Sequence, residues 1–156
     1  MKEPLLSSGL VLCTVSALFY TMMFFLFFTG ISSYSVDYFG TSSTMAGFVV
    51  STFVIGDLLA RIFFGRRMNL VGKRRLAVVS LALCTAVSAS YLVIESLAVF
   101  VAVRTVQGFA YGAASSSINT LVTEHLPASR RGEGIGYFML SMSLGSAAGP
   151  FLCMWM

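Results

Sequence analysis

The chain is poor in the residues that do chemistry in water. It has one histidine, His125, and three cysteines, Cys13, Cys84 and Cys153, spread over 156 residues. That spread excludes the close thiol spacing of a zinc or redox pair, and an isolated buried cysteine ordinarily packs as a small hydrophobe. A single histidine removes most ligand constellations, and no Ser/His/Asp set can be assembled, so an enzyme has almost nothing to stand on. No metal, cofactor or ATP site is expected. Gly132, Gly134 and Gly136 have a superficial likeness to a nucleotide loop, but they follow a helical stretch and two arginines rather than a strand, which excludes it. Charge is scarce as well: 10% of residues are charged, against roughly 25% in soluble domains.

Apolar length fills the place of the missing charge. The chain is 57% hydrophobic, with 14 Phe and 14 Gly, a composition suited to lipid-facing and helix-packing surfaces. Gly9 to Val36 contains no charge, Leu76 to Ile94 gives 19 uncharged residues and Gly134 to Met156 gives 23. About 20 residues cross roughly 30 Å of hydrocarbon at 1.5 Å each. Met45 to Arg67 and Leu97 to Thr123 are long enough too, but carry charges inside. The pattern predicts an all-α, polytopic membrane helix bundle with five spans, at about 9–31, 45–65, 76–94, 97–123 and 134–156. The first exceeds the apolar region of a cleavable signal peptide, and a soluble fold would need a core larger than this length encloses.

The cations set the sidedness. Lys2 precedes the first span, Arg66, Arg67, Lys73, Arg74 and Arg75 lie between the second and third, and Arg130 and Arg131 lie between the fourth and fifth. None lies in the connections at 32–44 or 95–96. The positive-inside rule puts the cationic side and the N-terminus in the cytoplasm. The net charge of +4 follows from that rule and from anionic headgroups, so the lipid bilayer is the expected partner and nucleic acid is not.

The segment Gly65-Arg-Arg-Met-Asn69-Leu-Val-Gly72-Lys73-Arg74-Arg75 packs two glycines and five cations into eleven residues directly after an apolar helix. A sharp turn is expected there, with glycine allowing positive φ or close helix approach. This segment resembles the loop signature G-x-x-x-D-x-x-G-[RK]-[RK] of the major facilitator superfamily, through Gly65, Gly72, Lys73 and Arg74, with Asn69 in place of the acid. Arg104-Thr-Val-Gln107-Gly108 resembles the superfamily's fourth-helix pattern R-x-x-Q-G. Gly145-Ser-Ala-Ala-Gly149-Pro150 resembles the fifth-helix G-x-x-x-G-P of its antiporter branches. The stretch from Ser129 to Phe138 is most similar to bacterial efflux-type members.

The resemblance implies membrane transport by alternating access: two six-helix halves rock around a central site, driven by ion or solute gradients. Five spans correspond to a truncated N-terminal bundle of such a transporter. The missing C-terminal half, a small solute and protons are then the expected partners, proton-coupled efflux the expected activity, and a cell inner or plasma membrane the expected location. In family members the loop acid joins a charge network that latches the halves on the cytoplasmic side. With Asn69 in its place, that gate would rest on Gly65, Gly72, Lys73, Arg74 and their neighbours.

The charges inside the membrane are the candidate site. Asp57 falls near the centre of its span, where a carboxylate costs about 2.5–3.5 kcal/mol on insertion scales. Arg61 follows one turn later, so two roles stay open for Asp57: a neutralising pair, or a proton or cation site. Arg104 lies about 10 Å in from the start of its span with no acid within a turn. It needs an acceptor from elsewhere. Gln107, Tyr111, Ser115 and Asn119 continue from it as a slowly rotating polar stripe, expected to wall a cavity or to bond packed helices. Gly108 with Gly112, and Gly145 with Gly149, have the small-xxx-small spacing of close packing, and Pro150 marks a bend or hinge. Two other classes fit less well: a non-transporting membrane scaffold would not need a buried Arg104, and a channel would need an acidic or carbonyl-rich ring.

Overall fold

The computed structural model describes residues 8–155, without the Asn69 side chain. Lys2 and Met156 lie outside the described residues, as does the side chain on which the departure from the loop signature rests. Among the described residues the chain forms helices and no strand: α1 Ser8–Phe39, α2 Ser43–Gly65, α3 Met68–Val71, α4 Lys73–Ser90, α5 Leu97–His125 and α6 Arg131–Trp155. A 3₁₀ turn, Tyr91–Val93, prolongs α4, and another, Ala128–Arg130, leads into α6. Five helical segments are long and apolar enough to cross a membrane: α1, α2, α4 with its 3₁₀ turn, α5, and α6 with the turn before it.

α1 runs further than the sequence pattern predicts. Its 32 residues span about 48 Å, and the connection expected at 32–44 shrinks to residues 40–42. Packing explains the extra turns. Tyr34 and Phe39 lie with ring centroids 5.9 and 5.4 Å from Phe100 of α5, and Phe100 is wholly buried. Those contacts outweigh the poor helix propensity of Ser32, Ser33 and Ser35. Gly40, at φ +61°, then ends the helix in the left-handed conformation that glycine adopts without strain. Ser42 starts α2 at once by accepting a hydrogen bond from the Met45 amide at 3.3 Å.

The chain divides into two compact units: residues 28–117 form one, and residues up to 27 together with 118 onward form the other. In the first, α2 and α5 meet along glycines. A Cβ on Gly108 would fall inside the Phe53 carbonyl, one on Gly56 inside the Thr105 carbonyl, and one on Gly112 would lie 2.6 Å from the Asp57 carbonyl oxygen. The two backbones are therefore in direct contact, which is what small residues permit in a membrane. In the second unit, α6 meets α1 in the same way. A Cβ on Gly145 would sit 2.7 Å from the Leu18 carbonyl oxygen, and one on Gly149 2.7 Å from that of Met22. Pro150 follows inside α6, which continues to Trp155 without interruption.

Candidate functional site

The polar stripe lies on α5, the most enclosed of the five spans. In its most apolar stretch 44% of residues are buried, against 22–33% in the others. Arg104 is only 1% exposed and Gln107 equally so. Arg104 Nη1 donates to Gln107 Oε1 at 2.7 Å, so the acceptor comes from its own helix, three residues on. The same oxygen accepts from the Tyr91 hydroxyl. Gln107 Nε2 donates to Ser88 Oγ at 2.7 Å, and Ser88 Oγ donates to the Cys84 carbonyl at 2.8 Å. These bonds fix which end of the Gln107 amide faces the guanidinium, since its other end is tied to α4. The Arg104 Cζ also stands 5.0 Å from the Phe53 ring centroid, a cation–π contact. Its Nε is buried with no hydrogen-bond partner.

The partners of Arg104 among the described residues, Gln107, the Tyr91 hydroxyl and the Phe53 ring, are neutral. A buried cation ordinarily needs a carboxylate or a strong set of acceptors, because desolvation penalises the charged form. Amide oxygen, phenol oxygen and ring face supply part of that compensation and leave Nε idle.

Asp57 is arranged in the opposite way. Arg61 Nε donates to both of its carboxylate oxygens at 3.0 Å. Arg61 Nη2 also reaches Ser115 Oγ of α5 at 3.3 Å, and Ser115 Oγ donates to the Gly112 carbonyl at 3.2 Å. The Asp57 side chain is 19% exposed and that of Arg61 45%. The geometry is that of a neutral intrahelical pair that also bridges α2 to α5.

The rest of the stripe divides. Tyr111 packs its ring 5.3 Å from that of Phe53, centroid to centroid. Ser115 is buried beside the Arg61 pair. Asn119 belongs to the other unit, half-buried, with Oδ1 lacking a partner. Arg104 and Gln107 thus sit together, and Ser115 joins Asp57 and Arg61.

The turn after α2 is held by a methionine. Met68 is buried in a cluster with Ala60, Leu76 and Ala113, flanked by Phe64 and Phe109. Gly72 adopts φ +88°, outside the range of side-chain-bearing residues, and redirects the chain into α4. Gly65 differs from expectation. It has no positive φ and no neighbour within 4 Å of where a Cβ would be, so it neither bends the chain nor seats a helix. Lys73 and Arg74 open α4, where the first turn contains no acidic residue.

The Major Facilitator Superfamily profile matches residues 13–156. The chain belongs to that superfamily. It is similar to the MFS-type transporter ucsD of Acremonium sp, with 33% identity over 106 residues that cover 68% of this chain and 17% of the relative. It is also similar to the Probable anion transporter 3, chloroplastic, of Oryza sativa subsp. japonica, with 28% identity over 116 residues, 73% of this chain and 22% of the relative. The chain spans about a fifth of the length of these curated relatives. No solved structure matches it. Superfamily membership and five membrane-length helices make this a multi-pass membrane protein of a transport family.

Three features of this superfamily member escape a reading of α5 and the loop alone. Ser88 of α4 and Tyr91 of the 3₁₀ turn that prolongs it complete the Arg104–Gln107 group. With Cys84 they recur at four- and three-residue steps on one helix face, a polar stripe of their own that could have been matched to the one on α5. Gly56 is the counterpart of Gly108, and its spacing to Ala60 is small-xxx-small, as at Gly108 and Gly112. Met68, one apolar residue inside a basic segment, is legible as an anchor only once the turn is folded.

Proposed function

We propose that the chain forms the larger part of the N-terminal bundle of a secondary active transporter that moves a small solute by alternating access. The observation that carries this is Arg104: a guanidinium enclosed at membrane depth, held by neutral groups only, with Nε idle. Such a cation is costly to insert, and residues of this kind in membrane spans ordinarily serve a pathway. Gln107, Tyr111 and Asn119 would complete the polar lining when the bundle rocks, with Asp57 as the carboxylate available for proton coupling. The N-terminus and the α2–α4 turn would lie in the cytoplasm, where Gly65, Asn69, Gly72, Lys73 and Arg74 would face the C-terminal half as a gate. Proton-coupled efflux across a cell membrane is the activity that the antiporter-like sequence in α6 favours.

The test is made in the full-length transporter. Arg104→Ala should abolish transport per inserted molecule while leaving expression and thermal stability in detergent close to wild type, and Arg104→Lys should restore little, because an ammonium cannot reproduce the planar fork. Near-normal transport by Arg104→Ala would show that the guanidinium only packs helices. A non-transporting scaffold, which the glycine seams alone would equally serve, would then be the better reading.

A further inference from the structure

The basic turn between α2 and α4 carries a second feature that gating does not use. Leu70, in its middle, is 86% exposed, and Val71 beside it is 45% exposed. Met68, two residues earlier, is buried, so the turn is anchored on one side and presents an apolar tip on the other. A leucine left in water forfeits the gain that burial brings. Within five residues of this tip on either side lie Arg66, Arg67, Arg74 and Arg75, all exposed, with Lys73 in the same turn. Ion pairs of the described residues include Arg61 with Asp57 and Arg130 with Glu133. Arg66, Arg74 and Arg75 have no carboxylate partner among the described residues. The other cationic connection, by contrast, neutralises Arg130 through Glu133 at 2.8 Å.

Depth is fixed by Arg67. Its Cζ lies 4.7 Å above the ring of Phe63, which is half-exposed on the apolar surface of α2. A guanidinium stacked on a lipid-facing ring sits where hydrocarbon gives way to headgroups. An apolar tip flanked by Arg66, Arg74 and Arg75, which have no carboxylate partner among the described residues, matches an anionic phospholipid at that depth, with acyl chain against Leu70 and Val71 and phosphate near the arginines.

We infer that the turn from Arg66 to Arg75 is an anionic-phospholipid site, with Leu70 and Val71 inserted at the acyl boundary. This requires only that α2 and α4 span a bilayer; it shares Arg74 with the proposed gate, but its test reads lipid contact and not transport.

The experiment uses the 156-residue chain in vesicles, with Trp155→Phe removing its one tryptophan and Leu70→Trp placing a reporter at the tip. Brominated phosphatidylglycerol and brominated phosphatidylcholine are compared as quenchers at equal mole fraction. Quenching should favour phosphatidylglycerol roughly fivefold, the weight of about one surface cation. The preference should vanish in Arg66→Gln/Arg74→Gln/Arg75→Gln and weaken with added salt. Equal quenching by the two lipids would overturn the site, as would no quenching by either, which would put Leu70 in water or under protein. If the triple variant does not insert, native mass spectrometry of the unmodified chain from mixed-lipid nanodiscs decides. Retained phosphatidylglycerol above its bulk proportion supports the site, and retention at bulk proportion refutes it.

Discussion

Gly108 offers the sharpest test of what holds the first unit together. A methyl group there would fall inside the Phe53 carbonyl and 3.0 Å from the Phe53 Cα. The obstacle is backbone, so no rotamer change can relieve it, and α2 and α5 must move apart. Overpacking costs about 1–3 kcal/mol, and a backbone obstacle belongs at the upper end of that range. Alanine returns up to about 1 kcal/mol through its better helix propensity. Gly108→Ala should therefore destabilise the folded bundle by about 2 kcal/mol.

Gly56→Ala should cost a similar amount, since its methyl would meet the Thr105 carbonyl and lie 2.9 Å from the Phe109 amide nitrogen. The two penalties should not add. Once the helices have separated for one methyl, the second finds part of its space already made, so the double variant should lose clearly less than the sum. Gly136→Ala in α6 is the control, because nothing lies within 4 Å of its Cβ position. It should be neutral or stabilising by up to about 1 kcal/mol. The assay is reversible unfolding in mixed micelles of increasing denaturing detergent, followed by far-UV circular dichroism. If Gly108→Ala is as stable as Gly136→Ala, the direct backbone contact between α2 and α5 is wrong.

Three other outcomes follow from the same geometry. In a background lacking Cys13, Cys84 and Cys153, a membrane-impermeant thiol reagent applied from outside should label Thr41→Cys and miss Lys73→Cys; the reverse labelling would invert the proposed orientation. A double-mutant cycle on Asp57→Asn and Arg61→Gln should give a coupling below about 1 kcal/mol, because the pair is partly exposed and half-screened; a coupling several times larger would mean a site far more enclosed than 19% and 45% exposure allow. Vesicles containing this chain alone should show no gradient-driven flux above empty controls, since alternating access needs two bundles around one site, and any such uptake would contradict the proposed mechanism.

The spans were legible because lipid imposes one rule on the whole chain. Every backbone group must bond within the helix, and the apolar length needed is fixed by the bilayer. The ends of α1 were not legible. Ser32, Ser33 and Ser35 look like a connection by local preference, and only the contact of Tyr34 and Phe39 with Phe100, more than sixty residues away in sequence, keeps them helical. The seam glycines on α5 and α6 could be read from spacing, because close approach demands small residues at one-turn intervals. Gly65 could not be separated from Gly72 in that way. Both satisfy the same loop pattern, yet only Gly72 has a backbone conformation that demands glycine. The acceptor for Arg104 was in view in the sequence as Gln107, but the orientation of that amide depends on Ser88 and Tyr91 of another helix.

The two arginines within the spans differ in a way that decides which of them has a charge left to use. Arg61 spends its charge at once: both Asp57 oxygens lie 3.0 Å from its Nε, and its remaining reach goes to a serine hydroxyl. Nothing about that group requires a ligand, and its partial exposure keeps the cost of either charge low. Arg104 is deeper, meets only neutral partners, and keeps a buried donor without an acceptor. Replacing it by an apolar residue of similar volume would remove its bond to Gln107 Oε1 together with the cost of desolvating the charge, an exchange that is often neutral or stabilising for buried ion groups. Gln107 Oε1 would keep the Tyr91 hydroxyl as its donor, so that amide does not need the guanidinium to be satisfied. On the proposed transport reading the charge itself is the property in use, and an anionic or polar group entering the bundle would meet its idle Nε.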